Sequence, residues 1–390
     1  MPNPPLYLEP FSSTSEGRSV LRVRFWRESA HIATAGTPFP ERILSGLRRF
    51  TSEFEKRRLE PQIIRMRYIR LSAVLLLLAC GTPDPAPTQG VETALDPTAA
   101  SVLALKELSY ALPTGRDTTM AKLDLYRLDD GHPRPLVLLV HGGSWMGGDK
   151  SNFAEAAPAF IPWWLERGYT VAAVNFRLAT RPGSSSEVGP KDQVSDIAHA
   201  LAWLLADAAA HSIDPQGEVV AVGYSSGAHL VALLGTDGRY LEAADLAETR
   251  LQATVSLDVH AYDVPFALSL MPGSVVEANI PLIEHLFGES EQEQLAASPI
   301  HYLDGYVAPA MLVSVQPSPS ERGTHGYIVA EAAKRYSSAL RSRGHTAETF
   351  HDSNETHGSL AIGFGEDGDA VTAAVAAFLD ALRRSPDELP

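Results

Sequence analysis

Ser225 stands in Gly223-Tyr224-Ser225-Ser226-Gly227, between the apolar run Val219-Val220-Ala221-Val222 and the helix-competent stretch Ala228-His229-Leu230-Val231-Ala232-Leu233-Leu234. A serine at a sharp strand-to-helix turn is held in a strained backbone conformation that lifts its hydroxyl clear of the sheet. Flanking glycines leave room where a Cβ would strike the neighbouring strand or helix. The helix that follows aims its first N–H groups at the same point, where they can steady a developing negative charge. Nucleophilic acyl transfer is the chemistry such a serine serves, and it needs further donors on the oxyanion. Upstream, Pro135-Leu136-Val137-Leu138-Leu139-Val140 reads as a buried strand running into His141-Gly142-Gly143-Ser144-Trp145. Glycines let a backbone come close to a reacting oxygen. One donor is therefore expected from the amide of Gly142 or Gly143 and another from Ser226. Either motif alone is compatible with an ordinary turn; their order, and their place at strand ends, make the pair informative.

Both turns need a rigid sheet beneath them. Strand-like runs near 103–110, 121–127, 135–140, 170–175, 218–222, 253–257, 310–315 and 347–350 alternate with helix-competent stretches for most of their length. That order predicts an α/β fold: a doubly wound, mostly parallel sheet of about eight strands with an antiparallel start and helices on both faces. No internal repeat is visible. The roughly 300 residues from Val91 onward suit one domain with a full core, assigned here to residues 101–386.

With these elements in place the chain resembles the α/β-hydrolase superfamily, in its esterase and lipase branch related to hormone-sensitive lipase, feruloyl esterase-like proteins and kynurenine formamidase. The resemblance runs from about Leu103 to Leu382. Besides the two turns, Leu123-Asp124-Leu125-Tyr126-Arg127 looks like the family's entry strand, and Gly147-Gly148-Asp149-Lys150 follows the His-Gly-Gly turn as in many members. Val174-Asn175-Phe176-Arg177-Leu178, the helix carrying Val194, Asp196, Ala200 and Trp203, and Ala297-Ser298-Pro299-Ile300 match further family segments in the same order.

A serine hydroxyl needs a base to take its proton, and the resemblance implies the order serine, acid, histidine. His357, in Asn354-Glu355-Thr356-His357-Gly358-Ser359-Leu360 between the last strand and the last helix, fits the family's histidine signature; His351 is its rival, nearer the strand. The acid departs from the family pattern. An aspartate is expected just after Ala310-Met311-Leu312-Val313-Ser314-Val315, and the chain continues Gln316-Pro317-Ser318-Pro319-Ser320-Glu321-Arg322. Glu321 is preferred by topology, since any carboxylate that orients the imidazole meets the chemical requirement. Asp258, at the end of Ala253-Thr254-Val255-Ser256-Leu257, is the alternative, and Asp263 fits a noncatalytic family position. An incomplete set of three remains a further alternative.

The amino end carries a separate message. Basic Met66-Arg67-Tyr68-Ile69-Arg70, apolar Leu71–Ala79 and then Cys80 have the composition of a signal peptide (66–79), with an apolar core about half the ~20 residues of a membrane span. Leu77-Leu78-Ala79-Cys80 resembles a bacterial lipobox, whose cysteine is acylated and becomes the first mature residue. Cys80 is the only cysteine, so no intramolecular disulfide is available. The segment 80–100 begins as a proline-rich polar tether, Gly81-Thr82-Pro83-Asp84-Pro85-Ala86-Pro87. The lipobox resemblance implies secretion and a lipid anchor on the bacterial envelope, and with Gly81 rather than aspartate after the cysteine, the outer membrane over the inner. Residues 1–70 hold thirteen Lys or Arg against seven Asp or Glu, while the remainder holds nineteen against forty. This break marks residues 1–65 as a non-native extension ahead of a true start at Met66, or else as a real basic segment with an amphipathic helix around Ile43 to Ile64.

The net charge of −15 and the lack of a basic, aromatic stripe argue against nucleic acid. No cofactor is expected, and no metal, since Asp258 and His260 lack a third ligand of recognisable spacing. The loop 181–189 and the segment from Val264 to Phe287 are where this fold grows lids; the latter either lines an acyl pocket or packs on the core. Trp145 and the pair Trp163-Trp164 are candidates to shape a pocket, with core packing the commoner role of such a pair. The expected activity is that of a lipid-anchored serine carboxylesterase on small acyl or aryl esters. Amide hydrolysis on the same site, and a noncatalytic hydrolase-fold binding lipoprotein, are the alternatives. Oligomeric state is left open.

Overall fold

A computed structural model describes residues 101–184, 188–316 and 321–384. The chain divides into two units, 1–93 and 94–390, and the described residues belong to the second. The expected signal segment, Cys80, the tether and the amino-terminal extension lie outside them.

The eight strands are β1 (Val102–Ser109), β2 (Lys122–Leu128), β3 (Leu136–Val140), β4 (Thr170–Val174), β5 (Val219–Tyr224), β6 (Ala253–Leu257), β7 (Ala310–Val315) and β8 (Ala347–Asp352). They form one sheet in the order β1-β2-β4-β3-β5-β6-β7-β8. The β1–β2 and β2–β4 pairings are antiparallel and all later ones parallel. The largely apolar runs explain the centre: β3, β4, β5, β6 and β7 are buried on both faces except at Tyr224, as strands of a parallel sheet covered by helices must be. The edges β1 and β8 carry charged and exposed residues, which blunts them against pairing with another chain.

The longer helices are α1 (Phe160–Glu166), α2 (Pro190–Ala206), α3 (Ser226–Thr236), α4 (Val264–Leu270), α5 (Gly273–Phe287), α6 (His325–Ser342), α7 (His357–Gly363) and α8 (Ala370–Arg383). The two-residue period of the strands sends alternate side chains into separate cores. Leu136, Leu138 and Val140 join Ile197, Leu230 and Tyr336 of α2, α3 and α6 on one face. Val137 and Leu139 join Trp164 of α1 and Phe378 of α8 on the other. Trp163 packs edge-on against Trp164 and Phe364, so the tryptophan pair belongs to this second core. Among the described residues no helix is long and apolar enough to cross a membrane.

Candidate active site

Parallel register places the candidate residues. Val140 of β3 lies opposite Gly223 of β5, and Tyr224 lies opposite Leu257 of β6. The residues that follow, His141, Ser225 and Asp258, therefore leave the carboxyl edge of adjacent strands, where open α/β sheets expose their crevice. The Ser225 N–H donates to the Leu257 carbonyl at 2.9 Å and the Asp258 N–H to the Val313 carbonyl at 2.9 Å, extending the ladders by one step. Ser225 has φ 54° and ψ −124°, a conformation costly for a residue with a side chain. It leads into α3, whose first residue, Ser226, has no carbonyl four residues back within the helix to receive its N–H.

The turn has to be glycine-lined. A Cβ on Gly142 would lie 2.8 Å from the Ser225 Cβ, and one on Gly227 would lie 2.2 Å from the Val140 carbonyl oxygen. The His-Gly-Gly turn thus sits directly against the serine. Positive φ continues through Gly143, Ser144 and Trp145, at 131°, 53° and 64°, strain that the surroundings must hold in place. They do so through Trp145. Its carbonyl accepts from Gln193 Nε2 at 2.6 Å and from the Ala179 N–H at 2.8 Å, and its indole N–H donates to His229 Nδ1 at 3.2 Å. His229 Nε2 then donates to the Ala297 carbonyl at 2.8 Å. Complete burial pushes this imidazole down to about 4, so it stays neutral with its proton on Nε2.

The remaining family-like segments form the buttress. Lys150 donates its N–H to Asn175 Oδ1 at 2.6 Å, and Asn175 Nδ2 donates to Asp149 Oδ2 at 2.6 Å. Arg177 grips Asp196 with Nε at 2.8 Å and Nη2 at 2.9 Å, and Asp196 is fully buried. These contacts tie the Gly147–Lys150 segment to β4 and α2 behind the turn.

His357 is the first residue of α7, where the Thr356 hydroxyl accepts from the Ser359 N–H as N-cap. Its Nε2 lies 3.0 Å from Ser225 Oγ and its Nδ1 2.6 Å from Asp258 Oδ2. The ring stacks on Tyr224 at 5.0 Å between centroids, and the Tyr224 hydroxyl donates to the His357 carbonyl. Asp258 Oδ1 accepts the Val315 N–H at 3.0 Å. Burial resists ionisation of Asp258, but hydrogen bonds from His325 and His357 outweigh it and bring the carboxyl down to about 2.

The carboxylate that meets His357 is therefore Asp258, and the preference for Glu321 is corrected. Glu321 is exposed, its carbonyl accepts from Thr324, and both ring nitrogens of His357 already have partners. The rival His351 sits on the edge strand β8, hydrogen-bonded to Ser314 Oγ at 2.9 Å. Asp263 caps α4 and pairs with Arg335 at 2.6 Å. Sequence reasoning missed His325, whose Nε2 donates to Asp258 Oδ2 at 3.0 Å. One signal existed: it follows the strand on which the family pattern places its acid. Asp258, His325 and His357 offer ligand atoms within 4.8 Å of one another, so a divalent ion could be held there only at the expense of these direct hydrogen bonds. The lid segment forms α4 and α5; Leu286 and Phe287 are buried, Phe287 packing edge-on to Trp145 at 5.0 Å, while Val275 and Ile280 are exposed. A cavity of about 590 Å³ lies between Pro182, Gly183 and residues 188–192 on one side and the end of α5 on the other, but neither Ser225 nor His357 lines it.

A doubly wound sheet with this strand order, and turns of this kind on its carboxyl edge, defines an α/β-hydrolase. Solved structures share the fold: esterase B from Lactobacillus rhamnosis (18% identity, TM-score 0.55, covering 72% of this chain and 86% of that one) and a truncated carbohydrate esterase from gut microbiota (16%, 0.54, 74% and 99%). The chain belongs to the BD-FAE family, whose model matches residues 123–318. Among curated proteins it is 27% identical over 198 residues to the "Probable carboxylic ester hydrolase LipM" of Mycobacterium tuberculosis, across 48% of this chain and 42% of the relative. It is 36% identical over 110 residues to the non-reducing polyketide synthase ausA of Aspergillus calidoustus, across 27% and 4%. The chain thus spans less than half the length of either.

Proposed function

We propose that this chain is a serine carboxylic-ester hydrolase that cleaves small acyl or aryl esters through an acyl-enzyme. The observation that carries the reading is the continuous hydrogen-bonded run Ser225–His357–Asp258, at 3.0 and 2.6 Å, on adjoining strand and helix ends. Membership of the BD-FAE family and the similarity to a relative named as a carboxylic ester hydrolase support it. Ser225 Oγ attacks the ester carbonyl while its proton passes to His357 Nε2. The carbonyl oxygen becomes an oxyanion, met by N–H groups of Ser226 and of Gly142 or Gly143. Collapse breaks the bond to the alcohol, which leaves with the proton from His357. Water then attacks the acyl group, gives a proton to His357, and Ser225 recovers that proton as the acid departs. Asp258 keeps Nδ1 protonated, so that Nε2 is free to accept, and offsets the imidazolium charge.

A fluorophosphonate should label the wild type and leave Ser225→Ala unlabelled, and p-nitrophenyl acetate turnover should vanish with the label. A folded wild type that neither labels nor turns over would leave a binding module in place of an enzyme. We propose separately, on the lipobox-like Leu77-Leu78-Ala79-Cys80, that an acylated Cys80 anchors the domain to the bacterial envelope. Mass spectrometry of the native amino terminus checks this: unmodified Cys80, or a peptide from before Met66, contradicts it.

A further inference from the structure

We infer that His325 is a positioning residue for the acid of this site: its Nε2–H shares Asp258 Oδ2 with the Nδ1–H of His357 and governs how firmly that carboxylate engages the base. The inference rests on the ester-hydrolase reading and adds a fourth side chain to it.

Asp258 has no exposed side-chain surface, and three donors converge on it: Val315 N–H on Oδ1 at 3.0 Å, and His357 Nδ1–H at 2.6 Å and His325 Nε2–H at 3.0 Å on Oδ2. A carboxylate on one rotatable bond can swing; anchoring Oδ1 from β7 and Oδ2 from α6 leaves it a single orientation, the one that faces His357. The residue itself stands at positive φ, 58°, just past the end of β6, so its backbone alone is not in a comfortable well. His325 is also well placed to act. It opens α6 behind the N-cap Thr324, and its ring lies 5.0 Å from that of His357, edge to face. Its side chain is 42% exposed, so core packing does not account for its position. The titratable groups facing it among the described residues are Asp258 and His357, together with His260, whose ring is 6.1 Å away. Exposed Glu321 and Arg322 precede it on its own loop.

A second donor on Oδ2 has two effects. It fixes the oxygen, which favours proton transfer between Ser225 and His357. It also takes a share of the oxygen's charge, so the imidazolium of His357 is held less strongly than a lone pair of partners would hold it. Removing the donor should lower kcat and shift the acid limb of the rate profile upward, because the protonated, inactive base then gains the whole of the carboxylate's charge.

The test compares pH profiles of p-nitrophenyl acetate hydrolysis, with fluorophosphonate labelling of Ser225, for the wild type, His325→Phe, His325→Ala and His325→Gln. Phe keeps a ring of similar volume without a donor, and Gln places an amide N–H at similar reach. The expected result is kcat lower by about tenfold in Phe and Ala, the lower end for losing a hydrogen bond to a charged group. KM should stay near the wild-type value and the acid limb should move to higher pH, with Gln returning both kcat and limb toward the wild type. An acid limb in Phe and Ala that coincides with the wild type overturns the inference, whatever happens to kcat or Tm; so does failure of Gln to restore either. A wild type that neither labels nor turns over removes the underlying reading instead, and this one with it.

Discussion

Replacing Asp258 by Asn and Glu321 by Gln separates the two carboxylates by a wide margin. The two oxygens of Asp258 receive three N–H donors, and an asparagine has one oxygen and one NH₂. If its oxygen faces Val315, the NH₂ points at both imidazoles. His357 must then present Nδ1 as an acceptor and carry its proton on Nε2, where it can no longer take one from Ser225. If the oxygen faces the imidazoles, the NH₂ is pressed against the Val315 N–H in a site closed to water, a donor against a donor. The first arrangement removes the base without removing the fold. Loss of the correct tautomer is worth on the order of 10³–10⁴ in kcat, roughly 4–5.5 kcal/mol of barrier. Glu321→Gln alters an exposed side chain and should leave kcat within about twofold. The assay is steady-state hydrolysis of p-nitrophenyl butyrate on both variants, with circular dichroism to confirm that each is folded. If Asp258→Asn keeps more than a tenth of wild-type kcat, or Glu321→Gln falls as far, the placement of the acid on β6 is wrong.

Two further outcomes follow from the same geometry. His229 is held neutral by burial, with a folded value near 4 against an ordinary imidazole near 6.5. The unfolded chain therefore binds the extra proton first, and the contribution of this site to stability is full above pH ~6.5 and declines as pH falls toward 4, by on the order of 3 kcal/mol. Urea midpoints for the wild type should fall over that window and those of His229→Gln should fall less; parallel curves would refute it. Gly142→Ala puts a Cβ 2.8 Å from that of Ser225 and 2.9 Å from the Tyr224 carbonyl oxygen, so the turn must retreat. Because misplacement by about 1 Å costs roughly 10² in rate, kcat should drop by about a hundredfold with labelling of Ser225 slowed in proportion.

What could be read from the chain was what is local. β3, β5 and β6 are short, largely apolar runs, as burial on both faces of a parallel sheet favours. Ser225 and the His-Gly-Gly turn were legible because a strained turn can be built from only a few residue types, and those types are adjacent in sequence. The acid was not legible in the same way. Its requirement is spatial, an oxygen within reach of His357 Nδ1, and the ends of neighbouring strands lie only about 4.8 Å apart. A rule that ties the carboxylate to one strand therefore chose Glu321 over a residue on the next. His325 lies 67 positions from its partner Asp258, and no pattern within a helix or strand links the two.

The position of Asp258 and the presence of His325 beside it have a single physical explanation. With the Asp258 carboxylate just past the end of β6, the described residues at and after the end of β7 supply donors to it. Val315, the last residue of β7, gives its N–H to Asp258 Oδ1, and the chain then turns sharply at Gln316, φ 125°. Described residues resume at Glu321 and enter α6 with His325, whose Nε2–H reaches Oδ2. A buried carboxylate needs this many partners, since each unpaired lone pair would add to the cost of keeping it charged. The end of β7 thus holds the carboxylate at the end of its neighbour β6, and the same three donors that stabilise the charge also set the direction in which it meets His357.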